Sequence, residues 1–314
     1  MGKLLPVIVG PTAVGKTLMG INLAENLNGE IISADSRQIY IGMEIGNGTP
    51  THAEMKGIPH HLLSIVEPHN RLSSGQFAML ARKQIEDVFS QGKTPIVVGG
   101  SGLYIRALVE GLSPIPQPDL ELRAELANEV DRRGMTEMIA ELTVIDYKYA
   151  KTVDQNNKKR LIRALEVYRQ TGRTFSDWHN EEVESPPFDP VFIGLDMPRD
   201  QLHLVIHQRV INMIDSGWRD EVQRLAEHYG GYERLPEIVS EGIGYKEIIS
   251  LIAEKIDLDT AIELIAIRTR QFAKRQMTWF RHESRIHWIT ISKSSEIDPA
   301  IEEAMGLLSR NIPA

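Results

Sequence analysis

The sequence predicts an α/β protein, a mostly parallel sheet flanked by helices, with an all-helical subdomain inserted into it. Two observations carry that prediction. Short apolar runs ending in polar or glycine residues alternate with stretches of helical periodicity. The alternation stops between two proline clusters, Pro114-Ile115-Pro116-Gln117-Pro118 and Pro186-Pro187, where only helical patterns remain. The domain reading is therefore a core made of 1–112 and 188–314, with a helical insertion at 113–187 hinged at both proline clusters.

The first apolar run, Leu4 to Val9, is a strand that enters G-P-T-A-V-G-K-T at Gly10 to Thr17. That is the phosphate-binding loop (P-loop) pattern G-x-x-x-x-G-K-S/T, placed between a strand and the helix Leu18 to Leu27, so the core is P-loop NTPase-like. Gly10 and Gly15 let the backbone curl so that the amides of the loop, through Thr12, Ala13 and Val14, point at phosphate oxygens. Lys16 adds a point charge, Thr17 offers a hydroxyl to a magnesium ion, and the helix presents its positive end. A chance glycine turn before a helix is the bland alternative, and the strand–loop–helix context speaks against it. The loop binds a di- or triphosphate and does not say which.

The second strand, Ile31 to Ala34, ends in D-S-R-Q-I-Y, Asp35 to Tyr40. An aspartate at the carboxyl end of a strand beside a phosphate loop is placed to take a proton from a nucleophile or to hold a magnesium-bound water. A turn or helix-capping aspartate is the alternative. His60-His61 follow in G-I-P-H-H-L-L. Adjacent histidines in an extended stretch point in opposite directions and no third ligand is near, which favours hydrogen-bonded or substrate-lining rings over zinc. The third strand, Pro95 to Val98, runs into G-G-S-G-L-Y, Gly99 to Tyr104, where Ser101 offers a hydroxyl among small residues. The polar ends at Gly10, Asp35 and Gly99 to Gly102 would face one crevice.

Within the insertion one helix starts after Asn157 and ends at Gly172, a C-cap signal. Two more strands are expected at Val191 to Asp196 and Ile286 to Thr290. Between them a long helical pattern, Asp259 to Arg281, carries Ile262, Ile265, Ala266, Thr269, Phe272, Ala273 and Gln276 as one stripe. Arg268 and Arg275 flank that stripe on one side, and Arg270, Lys274 and Arg281 on the other. Snorkelling of long basic side chains around a buried face would produce the same pattern.

The chain has 314 residues, 42% of them hydrophobic, which is enough for a substantial core. A count of Cys 0 excludes disulfides and thiolate metal sites. The start, Met1-Gly2-Lys3, passes directly into the first strand and leaves no room for a cleavable presequence, and no apolar run is long enough to span a bilayer. A cytoplasmic protein without a membrane association is expected, and no protein partner is implied. Lys and Arg total 35 against 43 for Asp and Glu, a net charge of −8. That balance alone argues against nucleic acid. The basic residues are clustered, however: Arg268, Arg270, Lys274, Arg275, Arg281 and Arg285 in one stretch, Lys158, Lys159, Arg160 and Arg163 in another.

Taken in order, these motifs resemble the tRNA dimethylallyltransferase (IPP transferase) family. The likeness begins with G-P-T-A-V-G-K-T, D-S-R-Q-I-Y, G-I-P-H-H-L-L and V-G-G-S-G-L-Y-I-R-A-L. It continues through R-L-I-R-A-L-E-V-Y at Arg160 to Tyr168, G-I-G-Y-K-E at Gly242 to Glu247 and T-R-Q-F-A-K-R-Q-M-T-W-F at Thr269 to Phe280. The resemblance implies transfer of a dimethylallyl group from dimethylallyl diphosphate to N6 of the adenine just 3′ of the anticodon in tRNA. It implies magnesium, held through Thr17, and no ATP, so the loop would hold a diphosphate leaving group. Asp35 would accept the amine proton, with Ser101 and Arg209 near the reacting centre and Arg209 a diphosphate contact. Contacts to the anticodon stem-loop are implied at Asp35, Ser36, Arg37, Gln38, Ser101, Arg123, Lys159, Arg160, Arg163 and Arg275, which makes the insertion a clamp.

The chain departs from the family pattern in places. Gly46-Asn47-Gly48-Thr49-Pro50-Thr51 stands where G-T-A-K-P-T is usual, Ser101 replaces a threonine, and Val205 and Ile211 replace an arginine and an aspartate. The competing readings are a small-molecule kinase with the same loop, an adenylate isopentenyltransferase that needs no tRNA clamp, and an RNA-binding module with a relict loop.

Overall fold

The computed structural model describes residues 3–111, 113, 115–154, 156–181, 186–292 and 297–311; Pro114, in the first proline cluster, lies outside them. The chain divides into two compact units, Met1–Val109 with Pro186–Ala314, and Glu110–Ser185.

The first unit is built on β1 (Lys3–Val9), β2 (Gly29–Ser33), β3 (His60–His61), β4 (Thr94–Val98), β5 (Phe188–Asp196) and β6 (His287–Thr290). They form one sheet in the order β3-β2-β4-β1-β5-β6, and every neighbouring pair is parallel. Helices on both faces explain why β1, β2 and β4 read as nearly continuous apolar runs rather than alternating ones. Leu5, Val7, Ile8 and Val9 of β1 and Ile96 and Val97 of β4 have no solvent exposure. Pro6, which has no N–H to donate, stands one residue before the β4 pairing begins at Val7.

The sequence pattern does not reveal β3. Its two residues pair with Ile31 and Ile32 at the sheet edge, too short a run for a period of two to register. The strand β5 starts at Phe188, ahead of the expected Val191, because Lys3 to Pro6 of β1 pair with Phe188 to Val191. The long helix Leu258–Phe280 buries Ala261, Ile265, Ala266, Ala273, Gln276 and Phe280.

The second unit is all-helical among its described residues: Leu120–Arg133, Met135–Ile145, Tyr147–Thr152, Lys158–Thr171 and Phe175–His179. It has its own core of Leu126, Val130, Met138, Leu142, Leu161 and Leu165. The helix Lys158–Thr171 starts where the Asn157 side chain accepts from the Arg160 N–H and stops at Gly172, whose φ of 70° is left-handed.

Candidate active site

The phosphate loop leaves β1 at Gly10, whose φ of 145° and whose distance to Leu195 forbid a side chain; a Cβ there would lie 2.5 Å from the Leu195 carbonyl oxygen. Ala13 (φ 69°) and Gly15 (φ 98°) also have left-handed backbone, the conformation that a curled anion-binding loop requires. Gly15 caps the helix Lys16–Leu27 without any side-chain cap, so the first-turn N–H groups remain available to an anion. The Lys16 ammonium donates to the Pro11 carbonyl at 2.7 Å. Burial pulls its pKa from the usual lysine value down to about 8, partly offset by Asp35 and reinforced by Arg209.

Backbone bonds bring the neighbouring strand ends to the loop. The Ala34 N–H donates to the Val98 carbonyl at 2.8 Å, Ser101 N–H to the Ala34 carbonyl at 3.2 Å, and Gly99 N–H to the Ile8 carbonyl at 3.1 Å. The Ser101 hydroxyl accepts from the Ser36 N–H at 2.8 Å and bonds the Ser36 hydroxyl at 3.0 Å. Ser101 therefore ties the loop carrying Asp35 to the glycine-rich loop after β4. The Asp35 carboxylate accepts from the Arg37 N–H at 2.8 Å, an Asx turn that fixes its aim. The turn reading and the functional reading of Asp35 are thus compatible.

Arg209 reaches the same place from the helix Arg199–Asp215, and its Nη2 donates to the Gly48 carbonyl at 3.3 Å. Burial lowers its pKa from the ordinary arginine value and Asp35 opposes that shift. The Gln38 amide donates to the same Gly48 oxygen at 2.9 Å. Tyr104, stacked on Phe77 with ring centroids 4.1 Å apart, has its phenol pushed upward by burial and then by Tyr40 and Asp35. Among the described residues neither Lys16 nor Arg209 forms a salt bridge. Two desolvated cations and one carboxylate with limited partners suit an incoming polyphosphate and a proton-bearing nucleophile.

The two histidines point apart as their backbone requires. His61 lies 2.6 Å from Glu30, which also takes the Lys93 ammonium at 2.6 Å. His60 bonds the Ile58 carbonyl at 2.8 Å, its basicity lowered by burial, and lines a small pocket with Thr17, Ser33, Gln38 and Pro50. No group of three His, Cys, Asp or Glu side chains capable of holding a metal occurs among the described residues. Thr17 and Asp35 are hard oxygen donors of the kind magnesium uses when it keeps its waters and borrows the rest from phosphate. The donor set fits such an ion.

The basic residues of the insertion are largely engaged. Arg123 and Arg163 both pair with Glu166, at 2.8 and 2.9 Å, and Glu166 is fully buried and also accepts from the Asp119 N–H. Arg163 donates to the Pro116 carbonyl as well. Lys159 and Arg160 are exposed. On the long helix, Arg275 and Lys274 line a shallow groove with Gln271 and Thr278.

Sequence reasoning passed over Gln276, which it read only as a position in the apolar stripe. Its Oε1 accepts from the Thr12 N–H at 2.7 Å and its Nε2 donates to the Gly100 carbonyl at 3.0 Å, so the Thr12 amide, expected to face phosphate, is instead bonded to this side chain. A glutamine on an otherwise apolar face was the available signal. Glu221 and Tyr245, described below, gave none beyond the G-I-G-Y-K-E motif.

The family model described as IPP transferase matches residues 38–283. A tRNA dimethylallyltransferase from Oceanobacillus iheyensis is 42% identical over 94% of this chain and 93% of its own length. One from Anoxybacillus flavithermus is 40% identical over 97% of this chain and 96% of its own. Among solved structures, the full-length tRNA isopentenylpyrophosphate transferase of Bacillus halodurans superposes with a TM-score of 0.69 at 36% identity, covering 99% of this chain and 98% of that one. A eukaryotic dimethylallyltransferase, described as acting on tRNA, gives 0.85 at 30% identity over 99% of this chain and 80% of that one.

Proposed function

This chain belongs to the IPP transferase family, a family of prenyl-transferring enzymes, and from that premise we propose that it transfers a dimethylallyl group from dimethylallyl diphosphate to N6 of the adenosine 3′-adjacent to the anticodon of tRNA. The observation that supports this reading best is the pair of desolvated cations, Lys16 and Arg209, gathered with Asp35 around an uncapped helix start. A nucleotide kinase would use the same loop, but it has no use for a base that accepts a proton from an amine beside the leaving group.

The exocyclic amine of adenine is a weak nucleophile because its lone pair is delocalised into the ring. As N6 forms its bond to C1 of the donor, the C1–O bond breaks, diphosphate leaves, and Asp35 takes the amine proton. Lys16, Arg209 and the amides of Ala13 to Thr17 bind the growing negative charge on the leaving group. Thr17 is the residue that would hold magnesium, which when bound neutralises diphosphate charge. Ser101, through its bond to Ser36, keeps the Asp35 loop in register with the acceptor side. The adenine must leave the anticodon-loop stack to reach Asp35, so the acceptor is a flipped base. Ser36, Arg37, Gln38, Arg275 and, on the insertion, Lys159 and Arg160 are the residues proposed to hold the RNA. Arg123 and Arg163 contribute by shaping the insertion through Glu166.

A prenyl-transfer assay with labelled dimethylallyl diphosphate, magnesium and unmodified tRNA, with AMP and ATP as parallel acceptors, tests the reading. Label on tRNA alone is expected. Label on AMP or ATP would move the chain to the adenylate-prenylating class, and no label on any acceptor would reopen the kinase.

A further inference from the structure

Beside the charged crevice lies a buried carboxylate that the proposed chemistry does not use. Glu221, in the helix Trp218–Tyr229, is 2% exposed. It accepts from the backbone N–H of Ile45 at 2.6 Å, from that of Gly46 at 3.0 Å, and from the Tyr245 hydroxyl at 2.9 Å. The same hydroxyl lies 3.1 Å from the Met43 carbonyl oxygen. Trp218 meets the Tyr245 ring edge-on, centroids 5.6 Å apart. A Cβ on Gly46 would come within 2.4 Å of both Trp218 Nε1 and the Tyr245 oxygen, so glycine is what lets this loop seat.

Two residues further on, the Gly48 carbonyl takes both the Gln38 amide and the Arg209 guanidinium. Gly48 has a φ of 61°, and a Cβ there would lie 1.9 Å from Arg209 Nη2. One oxygen thus sets the aim of two side chains in the site. Its own place is set by the stretch from Met43 to Gly46, which Glu221 holds at two backbone N–H groups, with the single Tyr245 hydroxyl proton shared between Glu221 and the Met43 carbonyl. Filling a core would not call for a carboxylate here, since well-packed apolar residues do that at least as well. Two adjacent N–H groups aimed at one carboxylate define a loop conformation, which is a different task.

We propose that Glu221 and Tyr245 are positioning residues that fix the loop 43–48 so that its Gly48 carbonyl holds Arg209 in place for the donor and Gln38 in place for the RNA. The proposal rests on Arg209 being a diphosphate contact. Steady-state transfer and tRNA binding are to be measured for Tyr245→Phe, Glu221→Gln, Arg209→Gln and the two doubles that include Arg209→Gln. Tyr245→Phe keeps the ring and removes one hydroxyl, so it stays informative if Glu221→Gln does not fold. Expected is a donor KM raised about fivefold by Tyr245→Phe and about tenfold by Glu221→Gln, with kcat within about twofold and tRNA affinity weakened by a smaller factor through Gln38. Neither substitution should raise the donor KM further once Arg209 is glutamine.

Effects that multiply in the Arg209→Gln background would overturn the proposal, as would single variants with unchanged donor KM. An Arg209→Gln enzyme with an ordinary donor KM would instead remove the diphosphate reading and the proposal together. The proposal failing alone shows as a defective Arg209→Gln enzyme beside normal Tyr245→Phe and Glu221→Gln enzymes.

Discussion

The cations of the helical unit and those of the crevice live under opposite conditions. In Glu110–Ser185, Arg133 reaches Glu129, Glu137 and Glu141, Arg169 reaches Glu129 and Glu141, and Arg123 and Arg163 converge on Glu166. Their carboxylate partners raise the pKa of Arg133 and Arg169 above the ordinary arginine value. In the crevice, among the described residues, Lys16 and Arg209 bond only backbone carbonyls, and burial lowers the pKa of both. A cation matched inside the fold stabilises the fold. One left desolvated and unmatched destabilises it slightly and waits for an anion.

The most severe break should come from Asp35→Asn, which keeps the shape and an acceptor for the Arg37 N–H but removes the base. We expect kcat to fall about 10²- to 10⁴-fold with tRNA affinity within about twofold; an unchanged rate ends the general-base role. Lys16→Met follows, with kcat/KM for the donor down about 10²- to 10³-fold. Its pH signature sharpens the comparison. With Lys16 at about 8 in the folded chain, the cation is present below that pH and lost above it. Donor KM should therefore rise above about pH 8 in the native enzyme, and this limb should vanish in Lys16→Met. Folding shows the opposite trend, because between about 8 and the ordinary lysine value of 10.5 the unfolded chain holds a proton that the folded chain lacks. Native stability should climb across that window on chemical denaturation, and the Lys16→Met protein should not follow it.

Glu166→Ala tests the other side. Removing the buried partner of two partly exposed arginines should destabilise the protein by about 2–3 kcal/mol in urea titration. A melting curve like the native one would mean those arginines are not matched in the sense argued above. The smallest effect is expected at Arg160, exposed on the helix Lys158–Thr171. Arg160→Glu should weaken tRNA binding about fivefold to tenfold and reduce the salt slope by about one. If the slope stays as it was, the insertion does not grip RNA through this residue. Arg163 is a poor choice for that test, because reversing its charge also breaks the Glu166 pair.

Much of this was legible because it is local. The phosphate loop, the strand before it and the Asn157 and Gly172 caps each lie within a few residues of what defines them, and so did the parallel α/β class. Gln276 and Glu221 act on backbone groups 264 and 176 positions away, and no periodicity carries that information. The two-residue β3 escaped for want of length. Arg163 teaches a subtler point: its partner Glu166 is three residues on and visible in the sequence, but the burial that makes the pair matter is not.

The register of the sheet also has a bearing on how the chain is made. The strand β1 sits between β4 and β5, and Lys3 pairs with Phe188. At ribosomal speeds of 5–20 residues per second, one edge of β1 therefore waits roughly ten to forty seconds for its neighbour to be synthesised. In the later part of that interval the insertion is being made, and its separate apolar core gives it something to collapse onto other than that bare edge. A helical unit placed at this point keeps a β-prone nascent chain occupied with local contacts until the missing strand emerges.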